Sequence, residues 1–282
     1  MTSSPPLIGT SFVANDRMDV QQQSVTSWLD QGFDVVSFNS PEEIENLKFN
    51  FPGVTFAPQM RTAMNIIGKP MIFINDMLHY FSKHGPEICG IVNSDIYFRP
   101  EHDIIGFIYQ ISKDAFLYGP RLEVENFNSI DGILDPFGFD YFFFDKSIKG
   151  TWLETKFCLG MPFWDHWFPL MPILAGKNVF KLMTPVANHI PHPTSRDDSF
   201  FMFNDEFAQI VLASIPKNSF PDDLKPEDYF VYKKNAIELE SRAANEKERL
   251  ATFETLALFL DALTKFVILY LDNNSDKIHI QD

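Results

Sequence analysis

Asn93-Ser94-Asp95 carries the sharpest chemical signal in this chain. An amide and a carboxylate stand two residues apart, directly after the apolar run Ile88–Val92. On a turn leaving a buried strand, both side chains can face one ion. Their oxygens are hard ligands that suit Mg2+ or Mn2+, and such an ion can bridge phosphate oxygens. The same residues also make an ordinary turn, with Asn93 and Asp95 bonded to nearby backbone, and the tripeptide alone favours that turn. A second spot is Trp164-Asp165-His166-Trp167, where a carboxylate sits among aromatic rings at the start of a helical segment. Capping of the helix N-terminus explains Asp165 equally well. A third is His189-Ile190-Pro191-His192-Pro193. Its two imidazoles are separated by an odd number of residues, so an extended segment would point them to opposite sides.

The elements around these residues alternate. Leu7–Val13 reads as a strand, and a helix capped by Asp16 follows, with Met18, Val25, Trp28 and Leu29 on one face. Residues 33–38 read as a second strand. Ser40-Pro41-Glu42-Glu43 has the form of a capping box with proline at the first helical position. A third strand over 54–56, a helix over 71–83, the continuous apolar strand Ile88–Val92, a helix through Ile104, Ile105, Ile108 and Ile111, and a strand over 115–118 complete the pattern. Short alternation of this kind predicts an α/β fold with a mostly parallel twisted sheet and helices on both faces. Residues 131–138 read as turn-rich. Tyr141–Phe144 reads as a buried strand, 164–175 as a helix interrupted by Pro169 and Pro172, and 179–182 as a last strand. Beyond about Phe200 the chain reads as wholly helical. The expected division is a ligand-binding domain over 1–198 and a helical extension over 199–282.

Composition removes several classes. The formal charge of −15 argues against a broad basic face for a nucleic acid polymer. A small phosphorylated ligand is still compatible, because a few amides, one lysine and a metal can hold it locally. Thirty phenylalanines point to a core rich in aromatic surface or to a pocket that stacks on flat ligands. Cys89 and Cys158 stand in apolar surroundings and read as buried free thiols. The first residues lack the pattern of a signal peptide, and the apolar stretch 256–271 carries Asp261 and Lys265, so no membrane span and a cytoplasmic location are expected. The stripe Leu256, Phe259, Leu260, Leu263, Val267 and Tyr270 must pack on something: its own domain, a second copy, or a following domain of a longer protein. P-loop, dinucleotide-fingerprint, nucleophile-elbow and zincin motifs are absent from the sequence.

The run Asn65-Ile66-Ile67-Gly68-Lys69-Pro70, a helix bearing Asn75, a buried strand and then Asn93-Ser94-Asp95 resembles the middle of the GT-A glycosyltransferases. In that family a glycine-containing turn opens a helix with an asparagine, and the buried strand ends in a D-x-D metal motif. Here the first aspartate of the motif is replaced by Asn93, which removes a charge and keeps an oxygen. The resemblance covers roughly residues 7–195. It implies a nucleotide-sugar donor, a divalent metal (Mn2+ or Mg2+) on Asp95, and a late histidine, His189 or His192, completing metal or diphosphate binding. It leaves inversion and retention both open, and implies that Asp165 is the general base that takes the acceptor's proton if the reaction inverts. Partial burial among aromatic rings would raise its pKa toward a useful range. Trp164 and Trp167 would stack on the acceptor's sugar rings or belong to the core. Thr10, Ser11 and Phe12 end the first strand, where family members contact the nucleotide base. Asn39 ends the second and is placed for base or ribose. Lys69 and Arg121 are candidates for donor phosphate, with a solvated lysine and a structural ion pair as the rivals.

The function so implied is metal-assisted transfer of a sugar from a nucleotide-sugar to a glycan or small-molecule acceptor. Two other readings stand beside it. One is a catalytically inactive GT-A-like domain that binds nucleotide, glycan or protein, motivated by Asn93. The other is a sugar nucleotidyltransferase, against which the lack of a long, basic, glycine-rich first loop counts.

Overall fold

A computed structural model describes residues 4–111, 113–129, 131–193, 199–240 and 246–280. In chain order it begins with β1 (Leu7–Thr10), α1 (Met18–Asp30), β2 (Asp34–Asn39), α2 (Pro41–Leu47), β3 (Thr55–Pro58), α3 (Met64–Ile67) and α4 (Ile74–His84). The expected capping box is present at α2. Ser40 accepts from the Glu43 amide, and the Glu43 carboxylate accepts from the Ser40 amide. Arg17 rather than Asp16 stands at the N-cap of α1, and its side chain makes no capping bond. Then come β4 (Ile88–Val92), β5 (Ile96–Phe98), α5 (Ile104–Ile111), β6 (Ala115–Glu123), β7 (Ile133–Asp145), α6 (Trp164–Leu174), β8 (Asn178–Leu182) and β9 (Ala187–His189). The chain ends with α7 (Ser199–Ser214), α8 (Pro226–Glu240), α9 (Glu246–Asn273) and β10 (Asp276–Ile278).

The main path of the sheet is β10-β8-β6-β7-β4-β1-β2-β3. β1 pairs in parallel with β2 and β4, β2 with β3, and β8 with β6 and β10; β7 runs antiparallel to both β4 and β6. The architecture is thus the expected mixed α/β fold with a mostly parallel sheet. All five residues of β4 are buried, as an apolar strand covered on both faces requires. The phenylalanines are largely core. Phe116, Phe142, Phe143 and Phe144 are fully buried on β6 and β7, and Phe116, Phe142 and Phe144 pack on Phe168 of α6.

Two expectations need correction. Residues 131–138 are not a turn region: β7 starts at Ile133, because the lengthened β6 pairs with it down to Glu123↔Ile133. Local turn propensity yields there to a long hairpin partner, at the cost of register shifts around Pro120. The tail is not wholly helical either, since β10 joins the sheet beside β8. The chain accordingly divides into a unit of residues 1–203 with 274–282 and a second unit, Asn204–Asn273. Within the second unit α8 packs on α9 through Tyr229 and Tyr232 against Phe259. The stripe residues Leu256, Phe259, Leu260, Leu263 and Val267 are buried within the chain. Among the described residues no helix is long and apolar enough to cross a membrane.

Candidate functional site

A small ladder beside the main path assembles the site. β5 runs antiparallel to β9, with Ile96 opposite His189, and β9 runs parallel to the end of β6, with Glu123 opposite His189. The Val124 amide donates to the His189 carbonyl at 2.9 Å and locks that register. Asp95 immediately precedes β5, so three residues far apart in sequence meet at one point. His189 Nε2 lies 3.3 Å from Asp95 Oδ2, and its Nδ1 lies 2.9 Å from Glu123 Oε2. His192, past Pro191 and outside the strand, also puts Nε2 3.3 Å from Asp95 Oδ2. The odd spacing therefore does not separate the two imidazoles: β9 ends at His189, and His192 lies beyond it. Arg17 spans the loops that carry these residues. It approaches Asp95 Oδ2 at 3.8 Å and donates to the Ile190 carbonyl at 2.9 Å.

Asp95, His189 and His192 fit a divalent ion. One donor atom from each lies within 4.8 Å of the others. Two donors about 2.1 Å from one ion, at right or tetrahedral angles, stand roughly 3.0–3.4 Å apart, close to the two carboxylate–imidazole distances here. One carboxylate and two imidazoles suit borderline first-row ions better than Mg2+. Behind His189, Glu123 occupies the place where ligating histidines usually hand their second ring nitrogen to a carboxylate. The electrostatics favour a cation. Burial opposes ionisation of Asp95, but its bonds to His189 and His192 prevail and hold its carboxyl far below the usual range. Burial likewise opposes charging of His189, and Asp95 outweighs it, so the imidazole pKa is raised.

The site opens into a cavity of about 420 Å3 whose wall includes Asn93, Arg121, Asp140 and Ile133. Arg121 is surrounded by acid. It donates from Nη1 to Asp140 and from Nε to Glu123 Oε1 at 2.7 Å, and its Nη2 lies 3.4 Å from Asp135 Oδ2. Gly138 leaves room for it, since a Cβ at that position would fall 2.8 Å from Arg121 Nε. Asn93 donates its side-chain amide to Asp140 Oδ1, and its backbone amide donates to the Asp140 carbonyl at 2.9 Å. Burial raises the Asp140 pKa against the opposing pull of Arg121. The charge of Asp165 also reaches Asp140. Asp165 stands in the first turn of α6, which starts after Phe163 in a left-handed conformation (φ 72°), an uncommon choice for a bulky residue. Asp165 Oδ1 is 3.2 Å from His166 Nδ1. Burial would lower the His166 pKa, and Asp165 reverses that and raises it.

Other expected contacts are not brought to this cavity. Trp164 is 2% exposed and Trp167 fully buried, so neither offers a ring face to a sugar; both belong to the aromatic core. Asn75 is buried and committed: its amide donates to the Leu153 carbonyl at 3.0 Å, and its oxygen accepts from the Thr155 amide at 3.0 Å. It pins a loop rather than facing a donor. Asn39 is also buried, donating to the Phe12 carbonyl at 2.8 Å and accepting from Ser37 at 2.6 Å. Phe12 is stacked on Phe51 with centroids 3.8 Å apart, and Thr10 is fully buried. Ser11 is half-buried at the strand end, and Lys69 is half-buried away from the cavity wall. Arg17, Glu123, Asp135 and Asp140 are site residues that sequence reasoning missed. Only Asp140, at the head of an apolar strand, carried a local signal.

No family model matches the chain, and no curated protein matches it either. Among solved structures, it is similar to HddC from Yersinia pseudotuberculosis at 14% identity and a TM-score of 0.35, over 57% of this chain and 85% of that one. HddC complexed with GMP-PN aligns over the same shares at 12% identity and a TM-score of 0.36. The mannosyltransferase PcManGT from Pyrobaculum calidifontis, in complex with GDP-Man and Mn2+, aligns at 12% identity and a TM-score of 0.44, over 97% of this chain and 87% of that one. The functional reading therefore rests on the geometry of the site.

Proposed function

We propose that this chain is a metal-dependent transferase of the GT-A type that takes a nucleotide-sugar as donor. The observation that carries the reading is the convergence of Asp95, His189 and His192 beside the carboxyl end of β4. Open α/β sheets bind their ligands at that end of the strands. A divalent cation held there would offset the charge that develops on a leaving diphosphate. Arg17 is the protein's own cation beside Asp95 and would add to that offset. Arg121 contributes little to it, because Asp140, Glu123 and Asp135 already answer its charge.

Asp165 is the proposed general base. Asp165 is not among the residues that line the cavity; its place in the first turn of α6 and the reach of its charge to Asp140 are what support a role near it. It would accept the acceptor hydroxyl's proton as that oxygen attacks the anomeric carbon, with the His166 imidazole beside the carboxylate. The rival reading is a domain that binds nucleotide or glycan without transfer. It is favoured by Asn39 and Asn75, whose polar groups are already committed inside the protein.

A thermal-shift screen of UDP-, GDP-, CMP- and dTDP-sugars, each with and without Mn2+, tests the reading. A ligand that binds only the folded state raises the midpoint. One nucleotide should raise it only with metal, and Asp95→Ala should remove that response. No response to any donor would sink the transferase reading. A metal-dependent response without hydrolysis or transfer would leave the binding domain.

A further inference from the structure

We infer that Glu123 is the positioning residue for the metal ligand His189, and that Arg121 is its anchor rather than a donor-phosphate contact. The inference rests on the metal reading above and goes beyond it, since no part of that reading needs Glu123. Three observations carry it. Glu123 Oε2 is 2.9 Å from His189 Nδ1, and this is the ring nitrogen that faces away from Asp95. A carboxylate on Nδ1 fixes the ring orientation and the tautomer that leaves the Nε2 lone pair free for an ion. The other carboxylate oxygen, Oε1, accepts from Arg121 Nε at 2.7 Å, so Glu123 is held at both ends. Finally, the contact is built into the backbone: Glu123 and His189 are cross-strand partners in the β6–β9 ladder, and the Val124 amide to the His189 carbonyl closes that ladder.

Arg121 extends the same support. Its guanidinium also binds Asp140, the partner of Asn93, and lies near Asp135 on β7. One planar cation thus ties the strand bearing Glu123 to the wall of the cavity. A diphosphate drawn to Arg121 would have to compete with three carboxylates already around it.

The test is calorimetric titration of the full chain with MnCl2, together with the absorption spectrum of the Co2+ form. Four proteins are compared: wild type, E123Q, E123D and E123A. E123Q keeps the length but has one acceptor oxygen for the two donors that Glu123 serves, His189 Nδ1 and Arg121 Nε. E123D keeps the charge and withdraws the oxygen by one methylene. If Glu123 works by positioning, E123D and E123A weaken Mn2+ binding by about 10- to 100-fold and change the Co2+ spectrum. E123Q, left with one of the two bonds, falls between wild type and E123A in both. Wild-type affinity and spectrum in E123A would overturn the inference while leaving the metal site intact. Wild-type affinity and spectrum in E123D would overturn it too, because a carboxylate withdrawn by one methylene would then serve as well. If E123A does not fold, the E123Q and E123D pair decides. Failure of wild type itself to bind Mn2+ would bring down the metal reading, and this inference with it.

Discussion

Asn93 donates its side-chain amide to Asp140, a carboxylate that is 6% exposed on the buried half of strand β7. This contact gives a physical reason for an asparagine at position 93. An aspartate at position 93 would set two carboxylates face to face in a site that already carries Asp95 and Glu123. Asn93→Asp is therefore expected to lower stability by about 1–3 kcal/mol near neutral pH. Because burial raises the Asp140 pKa, the deficit should shrink as the pH falls and one carboxyl takes a proton. Melting curves of both proteins across pH check this. An unchanged midpoint at pH 7 would mean that Asp140 does not constrain position 93.

The donor set makes a choice of ion. With two imidazoles and one carboxylate converging, Mn2+, Co2+ or Zn2+ should raise the melting temperature at concentrations where Mg2+ has little effect. Equal shifts with Mg2+ and Mn2+ would show that oxygen ligands dominate the site.

The pH dependence has opposite signs with and without metal. Without it, the depressed pKa of Asp95 contributes stability that is lost as the pH falls through the folded value. The raised pKa of His189 contributes stability present below the ordinary value of about 6.5 and lost as the pH rises through the folded value. The pair is thus most stabilising at mildly acidic pH. Metal binding requires a neutral imidazole, so Mn2+ affinity should climb as the pH rises through the raised His189 pKa, with proton release. Titrations in buffers of different ionisation enthalpy would detect the released proton. An affinity independent of pH would remove His189 from the ligand set.

Asp165→Asn should leave metal-dependent donor binding intact and reduce transfer by about 10²–10⁴-fold. Donor binding by thermal shift and turnover by product formation separate the two effects. Undiminished turnover would return Asp165 to the role of helix-terminus residue.

Asn75→Ala should act on stability alone. It removes an amide that holds the Leu153 carbonyl and the Thr155 amide, which costs about 1–3 kcal/mol. Donor and metal affinity measured well below the melting temperature should be unchanged. A selective loss of donor affinity would put Asn75 back among the binding residues.

The sequence by itself determined those features that depend on neighbours along the chain. The capping box at Ser40, the buried apolar strand Ile88–Val92, the helix over 104–111 and the α/β alternation all follow from local period and local hydrogen bonding. The carboxylate at Asp95 was legible for the same reason, as a polar residue on the turn that leaves a buried strand. Cross-strand register was not legible, because it is set by pairing between segments far apart in sequence. Glu123 gains its place from standing opposite His189, and Asp140 from facing Asn93 across the β4–β7 pair. The fates of Asn39, Asn75, Trp164 and Trp167 were likewise decided by tertiary packing, since a side chain's type does not say whether a loop or a core has already claimed it. The convergence of His189 and His192 needed both: the sequence supplied two imidazoles, and the tertiary path of the chain past the end of β9 brought them to one carboxylate.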